Sequence, residues 1–185
     1  MSVLDLPRLW RPETHQALFR RILDATARPG TLADTADLTE GAPAALAALA
    51  TFCDNTQTLA DLTGSLGATD WAFLDVARAA PEAADFILAD GATAPGFTPR
   101  LGTLDLPDGG ATVIVTVAAL DGGATLVLQG PGIKDSRSIA PRGLAPGWLA
   151  ARARWCADFP MGVDFVLADG QSLMILPRTT QITGA

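Results

Sequence analysis

The sequence predicts an α/β fold in which helices flank a mixed β-sheet. Two observations support this class: helical and strand patterns alternate through the first half of the chain, and strand patterns come in adjacent pairs in the second half. No linker, charge run or low-complexity tract divides the 185 residues. We therefore expect a single domain over residues 1–185.

The first predicted element is an amphipathic helix over residues 12–27. Arg28-Pro29-Gly30 ends it, because proline disfavours helical geometry in the residue before it and glycine permits the turn. A short strand is predicted over residues 31–33. The residues expected on the apolar face of the helix are Leu18, Phe19, Ile22, Leu23 and Thr26.

The middle of the chain contains two more predicted helices. The second helix, over residues 43–53, is nearly all alanine and leucine and is therefore expected to be buried. An extended segment over 58–62 follows, and Asp70 is the expected N-cap of a third helix over 71–79. A strand is then predicted over 86–89.

Two hairpins and one helix are predicted in the C-terminal half. Strands over 112–117 and 125–129 flank the turn sequence 120–123, and strands over 163–168 and 172–176 flank Asp169-Gly170. A fourth helix is expected to start at Pro146 and end before Pro160. Its predicted core side chains are Trp148, Leu149, Trp155, Cys156 and Phe159.

Composition argues against several functional classes. With 13 basic and 20 acidic residues the net charge is −7, which disfavours nucleic acids and anionic membrane surfaces. The apolar runs are too short to cross a bilayer and the N-terminus does not resemble a secretion signal, so a cytoplasmic location is expected. Hydrophobic residues make up 49% of the chain and charged residues only 18%. Such a chain is expected to bury part of its surface against a partner.

Few residues have the spacing that catalysis or metal binding requires. His15 is the only histidine, and Cys53 and Cys156 stand far apart outside any Cys-x-x-Cys pattern. We expect reduced, buried thiols, no metal site and no catalytic triad. Gly130-Pro131-Gly132 lacks the third glycine of a dinucleotide loop, and the sequence around Lys134 lacks the Walker A pattern, so a simple turn is favoured there.

Arg178-Thr179-Thr180, just after Pro177, is the most promising candidate site. Proline ends a strand because it cannot donate to the sheet, and an arginine with two hydroxyl groups beyond that end could hold an anion. The alternative is an arginine paired with a carboxylate at a subunit contact, and the residues alone do not favour either reading.

One seven-residue pattern occurs twice. Residues 85–91 and 164–170 differ only at Ile87 and Val166, and a Pro-Arg pair follows each. The rest of the two halves does not match. We therefore attribute the likeness to the common composition of a buried strand that ends in an Asp-Gly turn, rather than to duplication.

Several short segments, in order along the chain, resemble the H subunit (PhnH) of the bacterial carbon-phosphorus lyase core complex. They run from residue 19 to residue 180, so the resemblance covers nearly the whole chain. The segments are 19–23 with Pro29-Gly30, 54–56, 128–133, 139–141, 159–164 and 176–180.

This resemblance implies a homodimer whose fold is like that of the pyridoxal-phosphate-dependent aminotransferases but without the cofactor. The sequence agrees, since its sole lysine, Lys134, lies outside the matching residues, in a stretch read as a loop. Other subunits of the G, I, J and L types are the implied partners. With the G, I and L partners the family joins an alkylphosphonate to the ribose of ATP, displacing adenine and giving a ribose 1-phosphonate 5-triphosphate such as alpha-D-ribose 1-methylphosphonate 5-triphosphate. The J subunit then cleaves the carbon-phosphorus bond.

Two hypotheses follow for the chain itself. In one, it is a transferase subunit that binds ATP or a phosphonate through Arg178, Thr179 and Thr180, with the backbone amides near Gly130 and Gly132. In the other, it is a non-catalytic scaffold that docks to the complex through an apolar face. No clustered acid, base or nucleophile is visible, which favours the scaffold for the isolated chain.

Overall fold

The computed structural model describes residues 6–184. Two short 3-10 turns lie at Arg8–Trp10 and Pro107–Gly109. The helices are α1 (Pro12–Ala27), α2 (Ala36–Thr39), α3 (Ala44–Phe52), α4 (Ala68–Leu74) and α5 (Pro146–Trp155). The strands are β1 (Leu32–Asp34), β2 (Thr58–Asp61), β3 (Ala77–Arg78), β4 (Phe86–Asp90), β5 (Thr112–Thr116), β6 (Leu126–Gln129), β7 (Arg137–Ile139), β8 (Asp164–Ala168), β9 (Ser172–Leu176) and β10 (Gln181–Thr183).

Seven strands form one mixed sheet in the order β1-β9-β8-β5-β4-β2-β3. The pairs from β8 to β3 are parallel, whereas β9 runs antiparallel to both of its neighbours, β8 and β1. This arrangement confirms the predicted α/β class with a mixed sheet.

Strand β5 lies at the centre of the sheet and is buried on both faces. Val113 and Val115 pack on one face with residues of α5 and of the strands β6 and β7. Ile114 faces the other way and packs with residues of α1 and α3, such as Ile22 and Leu49. A continuous run of β-branched residues is typical of a parallel strand that is covered on both sides.

The predicted hairpin between β5 and β6 is wrong. β6 belongs to a second, three-stranded antiparallel sheet in the order β10-β6-β7. Both hydrogen-bonding edges of β5 are taken by β4 and β8, so no edge is left for the strand that follows it. By contrast, the hairpin of β8 and β9 is confirmed, and Asp169 accepts hydrogen bonds from the amides of Gln171 and Ser172 in its turn.

Helix α1 has the predicted bounds, but its buried face is narrower than predicted. Phe19 and Leu23 are 53% and 56% exposed. The buried stripe includes Leu18, Ile22 and Ala25, at the three- and four-residue spacing of a helix that meets the protein along one line. Phe19 and Leu23 lie beside that stripe, where nothing else in the chain covers them within the described residues.

Helices α4 and α5 also differ from expectation. Asp70 lies inside α4 rather than before it, and it accepts a hydrogen bond from the amide of Gly67 at 2.9 Å. Asp75, in a left-handed conformation (φ 52°), ends α4, and β3 forms where more helix was predicted. Helix α5 stops at Trp155, so Phe159 lies in the following turn and is 66% exposed instead of in the core.

The remaining elements were not predicted. They are short: α2, β3, β7 and β10 each have two to four residues. Pro177 does end β9, but β9 is not the final strand, since β10 pairs with β6 after it. In the described part of the chain no helix is long and apolar enough to cross a membrane.

Candidate functional site

A crevice of about 870 Å³ opens where the parallel strands of the large sheet end. Leu62 after β2, Asp90 at the end of β4 and Asp169 after β8 line it. After β2, the strand β3 is added on one flank of β2, whereas β4 and then β5 are added on its other flank. The crevice therefore lies at the switch in strand order, where α/β sheets characteristically bind ligands.

Asp61 shapes one wall of this crevice. Its Oδ1 atom accepts hydrogen bonds from the amides of Thr63 (2.9 Å) and Gly64 (3.0 Å), and its Oδ2 atom accepts one from the amide of Leu66 (3.2 Å). The hydroxyl groups of Thr63 and Ser65 lie 2.7 Å apart. The Thr63 hydroxyl itself donates to Asp61 Oδ1 at 2.6 Å, so one carboxylate fixes the loop by which Thr63 and Ser65 line the crevice.

An aromatic pair forms another wall. The Trp148 ring is buried, and its Nε1 donates to the carbonyl oxygen of Thr93 at 2.8 Å. Phe97 packs edge-on against Trp148, with ring centroids 6.1 Å apart. Gly147 lets α5 approach this segment, because a Cβ there would lie 2.5 Å from Cβ of Ala94. The contacts hold the half-buried Phe97 ring at the crevice.

The charged side chains that line the crevice are all acidic. They are Asp70, Asp90 and Asp169, and no arginine, lysine or histidine is among the lining residues of the described chain. Each aspartate accepts backbone amide hydrogen bonds with one carboxylate oxygen: one bond at Asp70 and at Asp90, and two at Asp169. The crevice is therefore suited to neutral or cationic ligands and unfavourable for a free polyphosphate.

Arg178 lies at the opposite, amino-terminal edge of the parallel strands. Its Nη2 is 2.7 Å from Oδ2 of Asp164, and its Nε also contacts that carboxylate. Its Nη1 donates to the carbonyl oxygen of Pro107. The pair forms within one chain, and the Arg178 side chain is only 13% exposed.

The structure brings four of the five sequence-predicted site residues together. Thr179 and Thr180 follow Arg178, and a Cβ at Gly130 would lie 2.9 Å from the carbonyl oxygen of Thr179. Thr180 is buried, and its Oγ1 has no hydrogen-bond partner within the described residues. Gly132 lies apart from them, packed against the carbonyl of Ala27 at the end of α1.

Arg152, which was not predicted as a site residue, binds the turn at residues 177–180 from the protein interior. It is 4% exposed and donates to the carbonyl oxygens of Thr180 (3.0 Å) and Pro177 (2.6 Å). Burial lowers the pKa of its guanidinium from the ordinary value. Its position four residues after Trp148 and three before Trp155 is the signal that could have placed it on the buried face of α5.

A second aspartate-arginine pair repeats the arrangement at Arg178. Nη2 of Arg100 is 2.6 Å from Oδ1 of Asp85, and Nε of Arg100 donates to the carbonyl of Gly109. Burial raises the pKa of Asp85, but hydrogen bonds from Thr58 and the charge of Arg100 outweigh it, so the net pKa is lowered. Both arginines bind carbonyls of the turn at residues 107–109 and fix it to the sheet.

The repeated seven-residue pattern now has a spatial meaning. Its two copies form β4 and β8, which flank β5 as parallel strands. The first aspartates, Asp85 and Asp164, therefore lie at the arginine-paired edge, and the last, Asp90 and Asp169, lie at the crevice. The repeated pattern therefore marks the two strands that end at the crevice. Its interpretation as common strand composition did not recognise this.

The two cysteines and the histidine belong neither to the crevice nor to the arginine-paired edge of the sheet. Cys53 and Cys156 are free and half-buried, and burial raises the pKa of Cys53 to about 12, which makes the thiol unreactive. His15 lies near Trp10, and burial lowers its pKa. Among residues 6–184 no group of three histidine, cysteine or acidic side chains could hold a metal ion.

The fold and the crevice define an α/β protein with a space of ligand-binding size at the carboxyl edge of its sheet. Residues 9–183 match the family model described as bacterial phosphonate metabolism protein (PhnH). A putative C-P lyase subunit protein HtxG of Stutzerimonas stutzeri is 41% identical over 175 residues, covering 95% of this chain and 89% of that protein. The alpha-D-ribose 1-methylphosphonate 5-triphosphate synthase subunit PhnH of Rhizobium meliloti (strain 1021) is 34% identical over 180 residues, covering 90% and 89%. The chain belongs to the PhnH family.

Proposed function

We propose that this chain is the H-type subunit of a carbon-phosphorus lyase complex and is needed to make alpha-D-ribose 1-methylphosphonate 5-triphosphate from ATP and an alkylphosphonate. The observation that carries the proposal is the family match over residues 9–183, together with the name of the Rhizobium meliloti relative. In this proposal it acts in the cytoplasm as part of a transferase, alongside subunits of the G, I, J and L types.

The proposed assembly includes a homodimer and at least one docking face. Its support is the set of large apolar side chains that the chain leaves exposed, in particular Leu104 (71%), Leu106 (59%) and Phe159 (66%). The amide of Gly162 donates a hydrogen bond to the carbonyl oxygen of Leu101 at 2.8 Å, which joins the two segments that carry these side chains. Exposed apolar patches of this kind are typical of interaction sites.

The proposal assigns no pyridoxal phosphate to the chain, although its fold is proposed to be like that of pyridoxal-phosphate-dependent aminotransferases. The seven-stranded sheet with β9 as its one strand antiparallel to both neighbours supports the likeness of fold. Lys134, the only lysine, is exposed and lies outside the crevice. The described lining of the crevice therefore includes no lysine amine that could form a Schiff base, which supports the proposed absence of the cofactor.

The crevice is the ligand site that the geometry supports best. The predicted site at Arg178, Thr179, Thr180, Gly130 and Gly132 is the second candidate. A phosphate there would compete with Asp164 for the guanidinium group, which already has carboxylate and carbonyl partners. The alternative to both sites is a structural role, in which the chain is a scaffold that contacts no substrate.

Growth on methylphosphonate as sole phosphorus source tests the function in the host that carries the gene. Deletion is expected to abolish this growth but not growth on phosphate, and unchanged growth would refute the proposal. Gly96→Leu distinguishes a ligand-binding subunit from a scaffold, because it places a large side chain in the crevice at a position where a Cβ meets no atom within 4 Å. We expect it to stop growth while the subunits still copurify. Normal growth of this variant would favour the scaffold.

A further inference from the structure

From the chemistry of the crevice we infer that it binds the nucleoside part of a nucleotide, the base with its ribose, and leaves the phosphates to basic residues of another subunit. The inference rests on the proposed function, because it specifies how a subunit of a nucleotide-using synthase would share the substrate. It concerns only residues that line the crevice of this chain.

The volume and the position of the crevice fit this ligand. The volume of about 870 Å³ lies within the roughly 300–1,000 Å³ range of small-molecule sites, and the crevice is located at the strand-order switch between β2 and β4. Mononucleotides and dinucleotides commonly bind at such a switch.

The lining supplies one surface for the base and another for the sugar. The half-buried Phe97 ring stacks on Trp155, with centroids 5.8 Å apart, and meets Trp148 edge-on, so the face turned away from Trp155 is the one available to a base. Stacking on an aromatic face accepts any base, because every base has a π-face. Asp90 and Asp169 can accept hydrogen bonds from ribose hydroxyl groups or an exocyclic amine, because ionised carboxylates only accept. Thr63 Oγ1 donates to Asp61 Oδ1 at 2.6 Å and is 2.7 Å from Ser65 Oγ, so the Ser65 hydroxyl can accept a hydrogen bond from the ligand.

The charge of the lining excludes the phosphates. Asp70, Asp90 and Asp169 contribute three negative charges, and no basic side chain among the described lining residues balances them. A triphosphate carries about four negative charges and would be repelled from these carboxylates. The isolated chain should therefore prefer a nucleoside to its triphosphate, the reverse of a phosphate-binding loop.

Calorimetry on the purified full chain tests this with adenosine, ATP without Mg²⁺, and inorganic tripolyphosphate. We expect adenosine to bind, ATP to bind several-fold more weakly, and tripolyphosphate to give no heat. Raising the salt concentration should narrow the gap, because salt screens the repulsion. Tighter binding of ATP than of adenosine, or competition by tripolyphosphate, would overturn the inference, and so would no binding of adenosine.

Variants that keep the backbone contacts assign the effect to these side chains. Asp90→Asn and Asp169→Asn retain the Oδ1 acceptor, and each should raise ATP affinity roughly two- to threefold without weakening adenosine. Asp121→Asn, in an exposed loop outside the crevice, is the matched control and should change nothing. Phe97→Ala should weaken adenosine roughly tenfold. Equal effects of Asp121→Asn, or no effect of Phe97→Ala, would contradict the assignment.

The failure of this inference can be distinguished from failure of the proposed function. If the gene deletion abolishes growth on methylphosphonate but the purified chain binds no adenosine, the function stands and the nucleoside site is refuted. If the deletion leaves growth unchanged, the function itself is refuted, whatever the calorimetry shows.

Discussion

Removal of the Arg178 side chain separates the structural role of this residue from a ligand-binding role. The guanidinium group is 13% exposed and contacts Asp164 and the carbonyl of Pro107. Arg178→Ala therefore removes a charge-assisted pair. It leaves the Asp164 carboxylate and the Pro107 carbonyl oxygen with fewer hydrogen-bond donors. Asp164 keeps one hydrogen bond, from the amide of residue 178 at 2.7 Å.

The expected cost follows from these contacts. Hydrogen bonds that involve charged groups contribute about 1.5–3 kcal/mol net, and the remaining backbone bond to Asp164 limits the penalty, so we expect a loss of about 2–3 kcal/mol. For a chain of this length that lowers Tm by about 5–10 °C. Arg100→Ala is the matched control: the Arg100 side chain is 39% exposed, against 13% for Arg178, and its removal should cost only about 1 kcal/mol.

Urea unfolding followed by tryptophan fluorescence gives the free energy of unfolding for both variants. A double-mutant cycle of Arg178→Ala with Asp164→Ala should return a coupling of about 2 kcal/mol, with an unchanged dependence on urea concentration. An Arg178→Ala protein as stable as the wild type that no longer gives heat with ATP would refute this reasoning. It would identify Arg178 as a ligand residue instead.

Three further predictions concern the rest of the chain. The lowered pKa of Asp85 stabilises the fold above the ordinary pKa of about 3.9, and this stability is lost as pH falls through the lower folded pKa. Asp85→Asn should therefore make the urea midpoint depend less on pH between about pH 5 and pH 2. A pKa of about 12 at Cys53 should leave the native thiol unreactive toward a disulfide reagent at pH 8 until urea is added, whereas rapid reaction would show an accessible thiolate. Leu49→Ala, at a position with 0% exposure, should lower the free energy of unfolding by about 2–5 kcal/mol, and a loss below 1 kcal/mol would contradict its place in the core.

Local patterns predicted the long elements well. The bounds of α1 and β9 agree with the structure, because Pro12 marks the start of the helix and Pro29-Gly30 its end, and Asp169-Gly170 and Pro177 mark the strand. The elements that were missed have at most four residues and carry no periodic signal. The face of α1 was predicted too wide, since periodicity cannot say how much of an apolar stripe another element will cover.

The pairing of strands was not decided by local sequence. β5 and β6 look like a hairpin, yet β5 pairs with β4 and β8, which are distant along the chain. With β4 and β8 on its two edges, β5 lies inside a parallel sheet that is covered on both faces, which suits its run of valine and isoleucine. The same long-range pairing carries Asp90 and Asp169 to one edge, so the crevice could not be located from their positions in the chain.

By itself, the sequence determined the α/β class, the principal helices, the C-terminal hairpin and, through its ordered short segments, the PhnH family. These depend on residue order and on local backbone preferences. Only the tertiary structure decided which residues meet: it paired Arg178 with Asp164, buried Arg152 beneath the 177–180 turn, and lined the crevice with acidic and aromatic side chains. The physical reason is that the edges of a parallel sheet collect residues from strands far apart in the chain, and the charge of a site depends on that collection.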